Sequence, residues 1–78
     1  MLFGVMVQKK DDILLAKIAK RIKFLREERK ITQEIFYNDT NIHIGRIEGG
    51  KINLSISTLS LICNYLEITL QEFFSEMD

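Results

Sequence analysis

The stretch Thr40 to Lys51, Thr-Asn-Ile-His-Ile-Gly-Arg-Ile-Glu-Gly-Gly-Lys, constrains this chain more than any other. Ile44 and Ile47 lie three apart, which puts them on one face of a helix, and Asn41 and Arg46 fall on another. Thr40 has the side chain of a helix cap, and Gly49-Gly50 gives the backbone freedom to stop. Upstream, Lys30-Ile31 interrupts the pattern, and Thr32 then caps a second short helix whose buried positions are Ile35 and Phe36. Asn38-Asp39 between them is polar and turn-prone. Helices this short do not persist alone, so both must bury their apolar faces against longer neighbours.

Those neighbours are legible on either side. Asp11 or Asp12 can cap a first helix over about 12–29, in which Leu14, Ile18, Ile22 and Leu25 recur at spacings of three and four. Lys17, Lys20, Arg21 and Lys23 lie mostly off that stripe. After the loop Lys51–Leu54, Ser55 or Ser57 can start a fourth helix, with Ile56, Leu59, Ile62, Cys63 and Leu66 as its apolar stripe. Glu67 ends it. Thr69 caps a fifth helix, with Glu72 three residues later completing a capping box and Leu70, Phe73 and Phe74 apolar. The expected helices are about 12–29, 33–38, 41–48, 56–66 and 70–76, an all-α fold in one domain, 11–78, behind an N-terminal arm, 1–10. The arm is apolar and then polar, and can equally be an extra strand or an overextended start, since Met6 is a second possible initiator.

Bulk properties narrow the function. With 78 residues the chain is one domain at most, and so small a core gains from burial on dimerisation. A content of 46% hydrophobic and 28% charged residues is that of a globular protein. No apolar run approaches the roughly 20 residues of a membrane span. Met1 to Val7 lacks the basic region and cleavage site of a signal peptide. The single cysteine, Cys63, cannot form an internal disulfide and fits a reducing cytoplasm. Net charge is zero, yet Lys9 to Lys30 carries nine basic and four acidic residues, a balance of +5, whereas Glu67 to Asp78 carries four acids and no base. A basic half can attract phosphate; it can also be an ordinary solvated helix face.

Two short helices joined by a tight turn suggest a helix-turn-helix, which offers its second helix to the major groove of DNA. The fuller pattern resembles the Cro/CI-type helix-turn-helix family, the lambda-repressor-like (XRE) domains. The resemblance covers roughly Ile18 to Phe74 and rests on Ile22-Lys23-Phe24-Leu25-Arg26-Glu27-Glu28, Thr32-Gln33-Glu34, Ile44-Gly45-Arg46-Ile47-Glu48-Gly49-Gly50-Lys51, Ile56-Ser57-Thr58-Leu59 through Leu66, and Ile68-Thr69-Leu70-Gln71-Glu72-Phe73-Phe74. It implies a compact five-helix DNA-binding domain. The chain departs from the family between Gln33 and Glu48, which is about three residues short, at Tyr37, where the family has a small residue, at Leu54, which replaces a common proline, and at Glu67, which replaces a common glycine.

Registered on Ile44, Ile47 and Glu48, the resemblance makes Asn41 and Ile42 the opening of the recognition helix. Asn41 then offers a bidentate pair to adenine, or is a turn residue only. Ile42 touches a thymine methyl or belongs to the core. His43 contacts base or phosphate, or is simply exposed; Arg46 reaches guanine or phosphate, or is a solvated charge. For phosphate, the family positions are those of Gln33, Lys51 and Asn53, with Thr32 and Lys23 as weaker candidates; such contacts set register. The resemblance also implies a partly buried ion pair between Arg26 and Glu48. Tyr65, Leu70, Phe73 and Phe74 have core spacing, and the family often dimerises through its last helix, which makes them candidate interface residues for a homodimer.

The leading expectation is a cytoplasmic, sequence-specific transcriptional regulator, a repressor, that binds operator DNA as a homodimer without a cofactor. The alternative is an antitoxin-like interaction module that neutralises a partner protein. An enzyme is not expected: there is no nucleophile–base set and no phosphate-cradling glycine loop. His43 and Cys63 are twenty residues apart on separate helices, and no metal site has ligand spacing.

Overall fold

A computed structural model describes residues 11–77. The expectations for the arm, 1–10, and for Asp78 lie outside the described residues. The described chain is all-helical and without strands: α1 (Asp12–Glu28), α2 (Gln33–Thr40), α3 (Ile44–Glu48), α4 (Ile56–Tyr65) and α5 (Leu70–Ser75).

Side-chain caps start four of the five. Asp11, Thr32, Ser55 and Thr69 accept hydrogen bonds from the backbone N–H of Leu14, Ile35, Thr58 and Glu72, satisfying donors that have no partner inside the helix. At α5 the capping box is complete, with Glu72 accepting in return from the Thr69 N–H.

The helix ends are less ordinary. Lys30, with φ of 60°, follows α1, and Glu67, with φ of 61°, follows α4. In each case two backbone bonds turn the chain back: Lys30 N–H to Glu27 C=O and Ile31 N–H to Arg26 C=O, then Glu67 N–H to Asn64 C=O and Ile68 N–H to Cys63 C=O. This is the Schellman arrangement, whose left-handed residue is usually glycine. Two charged residues therefore occupy positions at which a side chain costs about 1 kcal/mol. Gly50, with φ of 79°, is the glycine that fits the rule, and it lies where an added Cβ would sit 3.5 Å from the Ala16 backbone.

The core is built by one stripe from each helix: Ile18, Ile22 and Leu25 of α1, Phe36 of α2, Ile44 of α3, Leu59, Ile62 and Cys63 of α4, and Phe73 of α5, with Leu66 just beyond α4. Ile31, Ile42, Ile47, Leu54 and Tyr65 pack around it. α1 lies against α3, α2 against α3, and α4 against α5.

Three apolar residues of α1, α2 and α4 expected in the core are not there. Leu14 is half out, because the buried stripe of α1 runs one position round the helix through Leu15 and Ala19. Ile35 is exposed, since α2 is short and points only Phe36 inward. Ile56, in the first turn of α4, is 67% exposed.

The largest correction concerns the turn between α2 and α3. A third helix over 41–48 capped by Thr40 is not formed. Instead α2 continues to Thr40, and α3 begins only at Ile44. Thr40 is engaged by its own helix, its hydroxyl donating to the Phe36 carbonyl at 2.7 Å while accepting from Ile42 N–H at 3.1 Å. Asn41 then takes a left-handed φ of 65°, its N–H bonded to the Tyr37 carbonyl. Asparagine tolerates that conformation better than most residues, which is why the chain turns there.

Candidate nucleic-acid interface

Arg26 and Glu48 anchor this region. Arg26 Nε donates to Glu48 Oε2 at 2.7 Å and Nη2 to Glu48 Oε1 at 3.0 Å, a two-pronged pairing of guanidinium and carboxylate between α1 and α3. Nη1 of Arg26 donates to the Ile31 carbonyl at 2.8 Å, which fastens the α1–α2 turn to the same group. Both side chains are almost wholly buried, at 7% and 4% exposure. The hydrogen bond donated to Glu48 raises the guanidinium pKa above its ordinary value, against the lowering effect of burial.

Gln33 completes the brace. Its Nε2 donates to Glu48 Oε1 at 3.0 Å, linking the first turn of α2 to the last residue of α3. Its amide oxygen rests against Gly45, where an added Cβ would be only 3.0 Å away. Gly45 thus lets α3 approach the start of α2 closely. These bonds tie α1, α2 and α3 together around the turn.

On the outer side of this unit, Arg46 projects from α3 and is exposed. His43 sits at the N-terminal cap of α3, makes no side-chain capping bond, and stacks on Tyr37 of α2 with ring centroids 4.5 Å apart and planes 32° apart. Tyr37, His43 and Arg46 line a shallow groove with Gln33, Glu34 and Gly45. A second groove runs between α1 and the turn after α3, bordered by Lys20, Lys23 and Lys51, with Asp12 and Glu48 among its acids.

The candidate residues therefore divide. His43 and Arg46 share one groove. Lys23 and Lys51 share the other. Asn53 lies exposed in the loop after α3, and Thr32 uses its hydroxyl as the cap of α2. Asn41 does not open a recognition helix; it closes α2, three residues ahead of α3. Ile42 is half-buried and packs against the core, the second of its two expected placements.

Among the proposed interface residues, Phe73 is fully buried and has no surface to offer a second chain. Tyr65 ties α4 to α2: its hydroxyl donates to the Asp39 carboxylate and its ring meets Phe36 edge-on at 4.7 Å. That hydrogen bond to Asp39, aided by desolvation, raises the Tyr65 pKa. Leu70 is partly buried against the core, and Phe74 alone of the four stays substantially exposed.

Tyr37, singled out in the sequence only for its size, is brought against His43 across the turn in which Asn41 takes the left-handed backbone. Cys63 is buried, and desolvation pushes its thiol pKa up, so it is a core residue rather than a nucleophile. Among the described residues no cluster of His, Cys, Asp and Glu is arranged to hold a metal ion, and no helix is long and apolar enough to cross a membrane. Comparison with known proteins finds no family model, no curated protein and no solved structure that matches the chain.

Proposed function

We propose that this protein is a sequence-specific DNA-binding regulator, of the kind its resemblance to lambda-repressor-like domains implies, acting on double-stranded DNA as a homodimer and repressing by occupying its operator. The observation that carries this reading is the hydrogen-bonded α2–turn–α3 unit. Arg26, Glu48 and Gln33 lock it from within. That leaves Arg46 and His43 outward on one side and a lysine-bordered groove, Lys20, Lys23 and Lys51, close by. Donors to base edges and cations for phosphate are the two kinds of group such a surface needs.

A second reading is favoured by a specific observation. Ile13 and Phe24 on α1, and Ile56 and Leu61 on α4, are all more than half exposed. Apolar surface of this kind suits a protein partner, as in an antitoxin-like module. Titration of the isotope-labelled chain with duplex DNA, followed by backbone amide shifts, separates the two. DNA binding predicts perturbations concentrated in residues 33–51 and around Lys20 and Lys23 of α1. An absence of perturbation by any duplex, with binding to a protein partner through α1 and α4, would favour the second.

A further inference from the structure

α3 supplies too few side chains to read DNA by itself. Of its five residues, Ile44 is buried, Ile47 packs on the core, Glu48 is held by Arg26 and Gln33, and Gly45 has no side chain to extend. Arg46 remains, with His43 immediately ahead of the helix. Helices that read the major groove bring three or four side chains to base edges. At about 1.5 Å per residue, α3 is also roughly 7 Å long, short against a groove about 12 Å wide.

Tyr37 fills that gap from the neighbouring helix. Tyr37 is 38% exposed and its ring leans on His43, so two aromatic rings form one wall of the groove that Arg46 shares. The groove is also close to electrically balanced, since the Glu34 carboxylate opposes the Arg46 cation. Such a lining is poorly suited to phosphate and well suited to the neutral donors, acceptors and methyl groups of base edges.

Resting on the DNA-binding reading above, we propose that Tyr37 is a specificity-determining residue: the Tyr37–His43 ring pair receives the C5 methyl of a thymine in the major groove, and Arg46 reads the base beside it. The reading surface is then divided between α2 and α3 instead of lying on one recognition helix.

The test is selection of duplexes from a randomised pool by the full chain and by its Tyr37→Ala and Tyr37→Phe variants, followed by binding of the selected duplex with single thymines replaced by deoxyuridine, which lacks only the methyl. The wild type is expected to select a motif in which loss of one thymine methyl weakens binding about fourfold, the equivalent of about 0.8 kcal/mol for one buried carbon. Tyr37→Ala loses that preference and that methyl dependence while keeping the rest of the motif, and Tyr37→Phe retains both. An unchanged motif and methyl effect in Tyr37→Ala would overturn the role of Tyr37 and leave DNA binding intact. If Tyr37→Ala does not fold, the wild type still decides: a selected motif with no methyl-sensitive thymine overturns the proposal. Should the wild type select no motif at all, the DNA-binding reading itself fails.

Discussion

Removal of the Arg26 side chain would leave the buried Glu48 carboxylate with Gln33 as its remaining side-chain donor and take the guanidinium from the Ile31 carbonyl. Breaking a buried pair from one side costs about 3–5 kcal/mol, because the remaining charge is stranded. In a domain of this size each kcal/mol moves Tm by about 4–8 °C, so Arg26→Ala should melt more than 10 °C below the wild type. Arg46, exposed on α3, has no such role, and Arg46→Ala should stay within about 0.5 kcal/mol of it. Thermal melts of the two variants that coincide would contradict this division between the residue that holds the unit and the residue that projects from it. At this scale the sequence was legible where a side chain has only one chemical use. Caps at Thr32 and Thr69 followed from hydroxyls placed before apolar runs. Ile35 was misread because an apolar side chain can be core or surface, and only the direction in which α2 is set decides.

At the scale of elements, α5 shows how six residues are kept helical. Its capping box puts the Glu72 carboxylate on the Thr69 N–H at 2.9 Å, and this backbone bond, with the Thr69 side chain, lowers the Glu72 pKa below its ordinary value. The ionised form is therefore favoured by folding, so the contribution to stability is present above the ordinary carboxylate pKa and is lost as pH falls through the lowered folded value. Denaturant titrations at a series of pH values should show the wild type's advantage over Glu72→Gln at neutral pH and its disappearance in acid; a difference independent of pH would place the effect elsewhere. The element boundaries were less legible than the elements. Thr40 and Asn41 together read equally well as the cap and first residue of a new helix or as the end of an old one. The Thr40 bond back to Phe36 and the left-handed turn at Asn41 decide for the second, and they cost α3 its first turn. The α3 surface read from the sequence moved with that boundary, which is why Asn41 and Ile42 fall outside the helix.

For the whole molecule, the question is which apolar groups remain for a second copy. Phe73 is at 0% exposure and Phe74 at 38%, so the adjacent phenylalanines have different work. Phe73→Ala should cost about 3–5 kcal/mol of stability by opening a cavity. Phe74→Glu should leave the melt near that of the wild type and weaken self-association, as read by sedimentation equilibrium. A dimer insensitive to Phe74 would move the interface to another exposed site such as Leu61 or Ile56. A two-fold dimer that reads successive major grooves on one side of a duplex must hold its two α3 helices roughly 34 Å apart. The most direct test of the central claim, that the α2–turn–α3 unit binds DNA specifically, is fluorescence anisotropy of the full chain. A labelled duplex from the region upstream of its own gene would be compared with a random duplex across a salt series. The account predicts tight, selective binding that weakens steeply with salt and loses about tenfold or more on Arg46→Ala, the worth of one good base contact. Equal and weak binding to both duplexes, unchanged by Arg46→Ala, would contradict it.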